Sequence, residues 1–257
     1  MTEQQPDVDN TPVFEQLWGI TNELRQKLDA RFEVHLDVST KELQNYSAQN
    51  AEVYGSLNTF SGSEIDWLVH QWARKPKSGF NYIRLVIWLG SHIRVPHLAF
   101  EFATFGHLFF YMDYIPRTDL STDLEYLDRY YESVNQTYLN LQEDSRFQPF
   151  ISKSLYIRQV LSPTCLLFTC PVANETLEFI SNIAFEMMNP WLRWVDEAEP
   201  VPESERTALS KRDLIVRRAV AERDPGNENS VRLFGEELTD KLVRSLWGGD
   251  RILKSGS

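Results

Sequence analysis

The first part of the chain has the 3.6-residue period of an amphipathic α-helix. From Pro12 onward the periodic positions are Phe14, Leu17, Thr21, Leu24 and Leu28. Thr11 is a suitable N-cap residue, and Pro12 suits the first helical position because its ring fixes φ near the helical value. The spacing therefore predicts a helix that starts at Pro12. The polar, acidic residues 1–11 before it are predicted to form a flexible tail.

The pattern changes between residues 53 and 115, where short runs rich in β-branched and aromatic residues alternate with turn residues. These runs predict five strands: Val53–Phe60, Ile65–Arg74, Tyr82–Leu89, His97–Phe105 and Leu108–Ile115. The breaks between them contain Gly, Pro and Ser and are too short to hold a crossover helix. We therefore predict that the strands form an antiparallel meander.

Helical spacing returns after the meander and is interrupted by one further apolar run. The predicted elements are a helix over Leu124–Leu141, a sixth strand over Thr164–Cys170, a long helix from Asn174 that Pro190 should kink or divide, a helix from Pro202 to just before Asp224, and a last helix from Gly235 to Trp247. This order favours one α+β domain over residues 12–250. We expect a three-layer α/β/α sandwich whose central antiparallel sheet has about six strands, followed by a disordered tail over residues 251–257.

The chain of 257 residues carries a formal net charge of −11, so binding to nucleic acid or to an anionic membrane surface is not expected. No apolar run reaches the roughly 18 residues of a membrane span. The charge is uneven, since residues 186–205 hold six acids and one base while residues 206–223 hold six bases and two acids. The basic stretch is either a solvated helix face or a docking surface for an acidic partner.

The two cysteines, Cys165 and Cys170, lie in an apolar run and are predicted to be small buried side chains. They are too few for a disulfide framework or a four-thiolate cluster, which fits a reducing compartment. The N-terminal residues resemble neither a signal peptide nor an Arg-rich transit peptide. We therefore expect a cytoplasmic protein, or the trimmed mature form of a targeted one.

Glu101 is the first candidate for proton chemistry, because it lies on a strand with a clear period of two. One face of that strand combines Glu101 with side chains of modest size: His97, Ala99 and Ala103. The other face carries large apolar side chains: Leu98, Phe100 and Phe102. The Glu101 face either meets water or leaves room for a flat ligand. In the second case, partial desolvation would raise the pKa of Glu101 and let it donate a proton near neutral pH.

Asp224, in an Asp-Pro-Gly sequence, is the second candidate, and its ordinary alternative is a turn aspartate. Asp213 is expected to pair with Arg217 four residues later on the same helix. Asp113 is a further strand carboxylate that the sequence gives no reason to prefer. The five histidines lack zinc-binding spacing, and dinucleotide, P-loop and hydrolase motifs do not occur, so no metal site is predicted.

Eight short stretches follow one another along the chain: Tyr54-Gly55-Ser56-Leu57, Ile65-Asp66, Phe100-Glu101-Phe102, Pro116-Arg117-Thr118-Asp119-Leu120, Ser154-Leu155-Tyr156-Ile157-Arg158, Ser162-Pro163-Thr164, Lys211-Arg212-Asp213 and Arg232-Leu233-Phe234-Gly235. In this order they resemble the red chlorophyll catabolite reductases, which belong to the ferredoxin-dependent bilin reductase superfamily. The similarity extends over residues 53–247 and is strongest after Ser154.

The resemblance implies a six-stranded antiparallel sheet between helices, with an open-chain tetrapyrrole held between the sheet and the C-terminal helices. It also implies that electrons come singly from the [2Fe–2S] cluster of reduced ferredoxin, without a bound cofactor, so that a substrate radical must be protonated. The acid pair of the family falls on Glu101 and Asp224 of this chain. The expected substrate contacts are His97, Ala99, Ala103, Arg232 and Phe234. The expected ferredoxin contacts are Arg206, Lys211, Arg212, Arg217 and Arg218.

Several alternatives stay open at this point. The substrate is either red chlorophyll catabolite or a related bilin such as biliverdin, because His97 and His107 have no counterpart that we can assign in the family. The loop from Asp224 to Arg232 is one residue longer than expected. A non-catalytic bilin carrier and an assembly protein are alternative functions, and a homodimer is one of the possible oligomeric states. A trimmed mature form would place the protein in the plastid stroma.

Overall fold

The structure is a computed structural model and describes residues 9–251. Most of the two predicted tails, namely residues 1–8 and 252–257, lies outside the described residues. At the C-terminal boundary the tail prediction is wrong, because the guanidinium of Arg251 donates to the Oδ1 atom of Asp66 at 3.0 Å. The folded region therefore includes Arg251.

The first helix, α1, spans Thr11–Arg31 and begins one residue before the predicted start. Asn10 is its N-cap residue, and here the tail prediction is also wrong, because Asn10 is buried. The side-chain amide of Asn10 donates to the carbonyl oxygens of Lys75 and Phe80 at 3.2 and 3.1 Å. These hydrogen bonds attach the start of α1 to the turn between two strands of the sheet.

Within the described residues the sheet has nine strands in the order β1-β3-β4-β5-β6-β7-β9-β8, with β2 paired to β3. All of these pairs are antiparallel. The strands are β1 Val34–Leu36, β2 Tyr46–Ser47, β3 Tyr54–Gly62, β4 Ile65–Arg74, β5 Phe80–Leu89, β6 His97–Phe105, β7 Leu108–Ile115, β8 Gln148–Pro149 and β9 Leu166–Cys170. The five-strand meander and the sixth strand are confirmed. The three strands that were missed have two or three residues, too few to show a period of two.

Helices cover both faces of this sheet, as the sandwich prediction requires. The helices after α1 are α2 Leu124–Leu127, α3 Ser133–Glu143, α4 Leu155–Val160, α5 Asn174–Asp196, α6 Glu203–Arg223, α7 Asn227–Phe234 and α8 Glu236–Leu246. Helices α1 and α5 pack on the face that carries Leu98, Phe100 and Phe102, which we term the α1/α5 face. Apolar residues of α6, α7 and α8 pack with Ala99 on the opposite face, which we term the α6/α8 face.

The helix predictions differ from the structure in four places, one of which is α4, a helix that was not predicted. The predicted helix over Leu124–Leu141 is divided by a π-helical turn at Asp128–Glu132. Helix α5 runs continuously across Pro190, so the predicted division does not occur. Helix α7 was not predicted, and its end at Phe234 is followed by Gly235 at φ 82°. The glycine is required there because other residues rarely adopt a positive φ.

Residues 9–251 also bear on the predictions about membrane spans and about the two cysteines. No helix in this range has both the length and the apolar character that a membrane crossing needs. Cys165 and Cys170 are both unpaired and buried, as the apolar run predicted.

Candidate active site

Glu101 lies at the midpoint of β6, which is in the middle of the sheet between β5 and β7. The strand register places Arg84 of β5 and Tyr111 of β7 directly beside Glu101, and Gln71 of β4 beside Arg84. Residues that are directly opposed on neighbouring strands share a face of the sheet. Gln71, Arg84, Glu101 and Tyr111 therefore form a continuous line across the α6/α8 face, which we term the polar row.

The carboxylate of Glu101 is held from two sides. Its Oε1 atom lies 2.8 Å from the Nε atom of Arg84, and its Oε2 atom accepts a hydrogen bond from the hydroxyl of Tyr82 at 3.1 Å. The side chain of Glu101 is 14% exposed and that of Arg84 is 9% exposed. Glu101 thus does not project into bulk water, which was the ordinary alternative for a strand glutamate. The structure also gives it a charged partner that the sequence did not predict.

Two tyrosines accompany Glu101 and remain protonated at neutral pH. Burial raises the pKa of the Tyr82 phenol well above its ordinary value of 10.0, and the negative charge of Glu101 raises it further. Burial likewise raises the pKa of Tyr111, with Asp113 as the next cause. Both phenols can therefore donate hydrogen bonds and pass protons, but neither is a stable anion near pH 7.

Asp224 is the C-cap residue of α6 and lies over the same side of the sheet. Its Oδ1 atom accepts a hydrogen bond from the backbone N–H of Gly226 at 2.7 Å, which is the expected turn role. Burial is the largest influence on the pKa of both Tyr82 and Arg84, and the charge of Asp224 is a further influence that raises both. Asp224 is therefore within electrostatic range of Tyr82 and Arg84, the two side chains that contact Glu101.

Aromatic side chains border the polar row on one side. The ring centroids of Phe80 and Phe105 are 5.4 Å apart, and those of Phe109 and Phe150 are 5.1 Å apart. Phe105 is 51% exposed and Phe150 is 45% exposed, which is unusual for side chains of this size. Ala103 is opposite Phe109 in the register and adds little bulk there. We term Phe80, Phe105, Phe109 and Phe150 the aromatic rim.

His97 was predicted to contact a substrate, but its side chain is 1% exposed. Its Nδ1 atom accepts a hydrogen bond from the backbone N–H of Leu89 at 2.9 Å, and its Nε2 atom lies 3.3 Å from Oδ1 of Asp213. Burial lowers the pKa of His97 to about 4. The ring is therefore neutral at pH 7 and is committed to contacts within the protein, so we reassign His97 to a structural role.

Of the other four predicted substrate contacts, three are buried and one is exposed. Ala99 and Ala103 are 0% and 3% exposed, and Phe234 is buried edge-on against Tyr46 with ring centroids 5.4 Å apart. Arg232 points outward, with a side chain that is 74% exposed and lies 4.0 Å from Glu228. Ala103 adjoins the aromatic rim, whereas Ala99 and Phe234 belong to the packed core under α7 and α8. The contacts of Arg232 are with Glu228 and Asn229 of its own helix.

Asp213 does not pair with Arg217, so that prediction is wrong. The Oδ2 atom of Asp213 lies 2.5 Å from Arg117, whose guanidinium is fully buried and also donates to the carbonyl oxygens of Gly90 and Ile93. Arg117 and Asp213 come from two of the stretches that carry the family resemblance. Their pairing attaches α6 to the end of the sheet and so fixes the direction in which α6 carries Asp224.

The basic stretch is used largely within the protein. Arg217 is 3% exposed and donates to Oδ2 of Asp66 at 2.8 Å, so its predicted role in partner docking is wrong. Arg212 donates to two backbone carbonyl oxygens, and Arg206 donates to a third. Lys211 and Arg218 are exposed, although Arg218 also pairs with Glu222 on the same helix. The surface left for an acidic partner is thus smaller than the sequence indicated.

Sequence reasoning missed Tyr82, Arg84 and Tyr111 and gave no weight to Asp113. The period of two does place Tyr82 and Arg84 on one face of β5. It cannot show that this face is the one that carries Glu101, because the register between strands is not visible in one sequence.

A separate groove of about 960 Å³ lies among α6, α7 and α8, where its lining includes Arg218, Glu222 and Trp247. No member of the polar row or the aromatic rim lines it. Among residues 9–251, no group of three or more His, Cys, Asp or Glu side chains could hold a metal ion. The buried acids beside half-exposed aromatic rings therefore make the polar row the better candidate site.

Curated proteins with sequences similar to this chain are named red chlorophyll catabolite reductases. The family model for red chlorophyll catabolite reductase (RCC reductase) matches residues 19–247. Red chlorophyll catabolite reductase 1, chloroplastic, of Oryza sativa subsp. japonica is 30% identical over 200 residues, which are 72% of this chain and 60% of the rice protein. The chloroplastic red chlorophyll catabolite reductase of Arabidopsis thaliana is 29% identical over 228 residues, 80% of this chain and 70% of that protein. The chain thus matches less than two thirds of the rice relative's length.

The fold also has a solved counterpart. A crystal structure of phytochromobilin synthase from tomato, in complex with biliverdin, superposes with a TM-score of 0.80 at 14% identity and covers 91% of this chain and 83% of that chain. This likeness establishes the shared α/β/α architecture. Because the family model extends from α1 to the end of α8 and so includes the whole sheet, the chain belongs to the red chlorophyll catabolite reductase family.

Proposed function

We propose that this protein reduces a linear tetrapyrrole, either red chlorophyll catabolite or a related bilin, with electrons from reduced ferredoxin. The names of its curated relatives support a reductase of a chlorophyll-derived bilin. The tomato protein with the same fold was crystallised with biliverdin, which supports an open-chain tetrapyrrole as the ligand. Two of those relatives are chloroplastic, which favours the plastid stroma over the cytoplasm for this chain.

The observation that carries the proposal is the position of Glu101. A carboxylate at the centre of the sheet is paired with Arg84, reached by the Tyr82 hydroxyl and adjoined by the charge of Asp224. Glu101 and Asp224 come from distant parts of the chain, and the charge of Asp224 acts on Tyr82 and Arg84, the two partners of Glu101. Because a buried ion pair contributes little to stability, the arrangement favours a role in proton transfer.

The reduction of one double bond requires two electrons and two protons. Two reduced ferredoxins supply one electron each and are oxidised. Each electron makes the tetrapyrrole more basic, and a proton follows from an acid beside it. In our proposal Glu101 and Asp224 face the pigment, and each carboxylate takes up a proton and passes it to the pigment, while the aromatic rim stacks against its flat rings. The Arg84 guanidinium holds the Glu101 carboxylate in place after the proton has left.

An anaerobic assay tests this proposal directly. The purified chain is mixed with reduced ferredoxin and, separately, with red chlorophyll catabolite and with biliverdin, and absorption spectra and chromatography of the products are recorded. We expect one of the two pigments to lose conjugation and give a new product. A coloured complex without any new product would instead indicate a bilin carrier, and an unchanged spectrum with both pigments would exclude bilin binding.

For ferredoxin we propose a dock around Lys211 and Arg218, two of the exposed cations of α6. An acidic ferredoxin would be attracted by these basic side chains, which would accelerate the encounter. The steady-state rate at low ferredoxin concentration should then fall as ionic strength rises, since salt screens exposed charges. A rate that does not respond to salt would argue against this dock.

A further inference from the structure

Asp113 is a buried acid that the proposed mechanism does not use. It lies on β7, 1% exposed, with its side chain on the same α6/α8 face as the polar row. Its Oδ2 atom accepts a hydrogen bond from the backbone N–H of Ser162 at 3.1 Å. Its Oδ1 atom is buried and has no hydrogen-bond partner among the described residues. A carboxylate that only anchored the Ser162 loop would leave this oxygen desolvated at considerable cost.

Tyr111 connects this buried acid to the polar row. The hydroxyl of Tyr111 lies 3.5 Å from Oδ2 of Asp113, and in the register Tyr111 is directly opposite Glu101. The charges of both Asp113 and Glu101 act on the Tyr111 phenol. Tyr111 is half-buried, whereas Asp113 beneath it is closed off. In this contact the Tyr111 hydroxyl donates to Asp113, and Tyr111 is the neighbour of Asp113 that lies directly opposite Glu101.

The surroundings of Asp113 let it keep its proton to a higher pH than an ordinary aspartate does. Burial raises the pKa of Asp113 to about 6, although hydrogen bonds from Ser162 and Cys165 act in the opposite direction. The titratable groups that face it are Tyr111, Cys165 and Tyr131, and burial raises the pKa of each of them. They are therefore neutral near pH 7, and no cation among them stabilises a charged Asp113.

We infer that Asp113 is a proton-holding positioning residue that resupplies the site through the hydroxyl of Tyr111. The inference rests on the proposed function, because it concerns how the same site regains protons. When the bilin takes a proton from Glu101, the Tyr111 O–H proton moves to the Glu101 side and Tyr111 receives the proton of Asp113. Asp113 is left as a carboxylate and is reprotonated between turnovers through the half-buried Tyr111. No Tyr111 phenolate accumulates, because the two transfers are concerted.

The first test needs no pigment and measures stability against pH. Folded Asp113 binds its proton up to about pH 6, whereas the unfolded side chain loses it near its ordinary value of 3.8. Between these values the folded state binds more protons, so the free energy of unfolding contributed by Asp113 falls as pH rises through this window. Urea unfolding between pH 4 and 7, with Asp113→Asn beside the wild type, should show that the variant lacks this fall. Identical pH dependence in both proteins would overturn the inference.

The second test measures turnover with Tyr111→Phe, which removes the hydroxyl and leaves Asp113 in place. We expect kcat to fall roughly 10- to 100-fold, with KM for the bilin within about twofold of the wild type, as for the loss of a proton-transfer step. We also expect kcat of the wild type to fall above about pH 6, where Asp113 loses its proton, and this fall should be absent in Tyr111→Phe. Tyr114→Phe is the matched control, because Tyr114 is on the same strand and its hydroxyl bonds to the carbonyl oxygen of Met187 on the other face.

The outcomes separate the inference from the proposed function. If the wild type reduces a bilin and Tyr111→Phe has the same kcat and pH profile as Tyr114→Phe, the relay is wrong and the proposed function stands. If the wild type reduces no bilin, the proposed function fails and the relay fails with it, whatever the unfolding data show. If Asp113→Asn does not fold, Tyr111→Phe still decides between a relay and a loop anchor.

Discussion

On the α1/α5 face of β6, Leu98, Phe100 and Phe102 are each 0% exposed and pack among apolar side chains of α1 and α5. On the α6/α8 face the same strand carries Glu101, paired with Arg84 beside a half-open aromatic rim. The side chains on the α1/α5 face stabilise the fold, because their packing removes large apolar surfaces from water. The burial of Arg84 and Glu101 on the α6/α8 face has no such explanation, because both charges lose their hydration. The contrast supports our proposal that the polar row takes part in proton transfer.

The α6/α8 face also contains a second buried ion pair, and this pair has a structural role. Arg117 and Asp213 are as well buried as Arg84 and Glu101, but the Arg117 guanidinium is fully occupied by Asp213 and backbone carbonyl oxygens. Such a group holds α6 in place and has no access to a ligand. Burial and charge alone therefore do not identify a catalytic acid. The difference lies in the arginine: the Arg117 guanidinium is fully buried, whereas Arg84 is 9% exposed and its pair lies beside the half-exposed aromatic rim.

The substitution Glu101→Gln should have the largest effect and is the strongest test of the difference between the two faces of β6. The amide keeps the shape of the side chain but cannot hold the proton, so kcat should fall about 10²- to 10⁴-fold while the bilin dissociation constant changes little. Turnover with reduced ferredoxin and a pigment titration measure the two quantities. Glu64→Gln is the control, because Glu64 also pairs with an arginine, Arg31, but in the turn between β3 and β4. Equal effects of the two substitutions would count against a catalytic Glu101.

Phe100→Ala tests the opposite face. Removal of a fully buried ring leaves a cavity, and we expect the free energy of unfolding to decrease by about 3–5 kcal/mol. The folded fraction should keep its kcat, because Phe100 does not face the polar row. Phe105→Ala is the matched substitution on the aromatic rim, where the ring is half-exposed. It should cost little stability and weaken pigment binding, and the reverse result would invalidate our assignment of the two faces.

Asp213→Asn tests the structural ion pair. It leaves the buried guanidinium of Arg117 without its counter-charge, so urea denaturation should show a loss of about 3 kcal/mol or more. The control is Glu222→Gln, which removes an exposed pair with Arg218 and should cost less than about 1 kcal/mol. A large drop in kcat of the folded Asp213→Asn protein, with stability unchanged, would assign Asp213 to the chemistry instead.

The smallest effect is expected at the surface. Lys211→Glu reverses one exposed charge of the proposed ferredoxin dock and should slow ferredoxin association several-fold at low salt, with the difference vanishing at high salt. Stopped-flow association at two ionic strengths measures it. Lys27→Glu, an equal charge change on α1 across the sheet, should have a much smaller effect. Similar slowing by both variants would mean that net charge, not a defined dock, controls the encounter.

The period of two and the helical spacing determined much about this protein. They predicted the meander, α1 and the separation of Leu98, Phe100 and Phe102 from Glu101, because such periods follow from local backbone geometry. The order of short motifs indicated the family. These properties belong to neighbouring residues along the chain, so one sequence is enough to reveal them.

The tertiary structure decided what the sequence could not. Register placed Arg84 and Tyr111 beside Glu101, and the folding of α6 onto Arg117 brought Asp224 over the same face. The role of Asp113 was likewise invisible, because its burial depends on a loop about 50 residues away in sequence, at Ser162. Contacts between distant segments depend on how the layers pack, and no local pattern encodes which of several equivalent carboxylates will be desolvated.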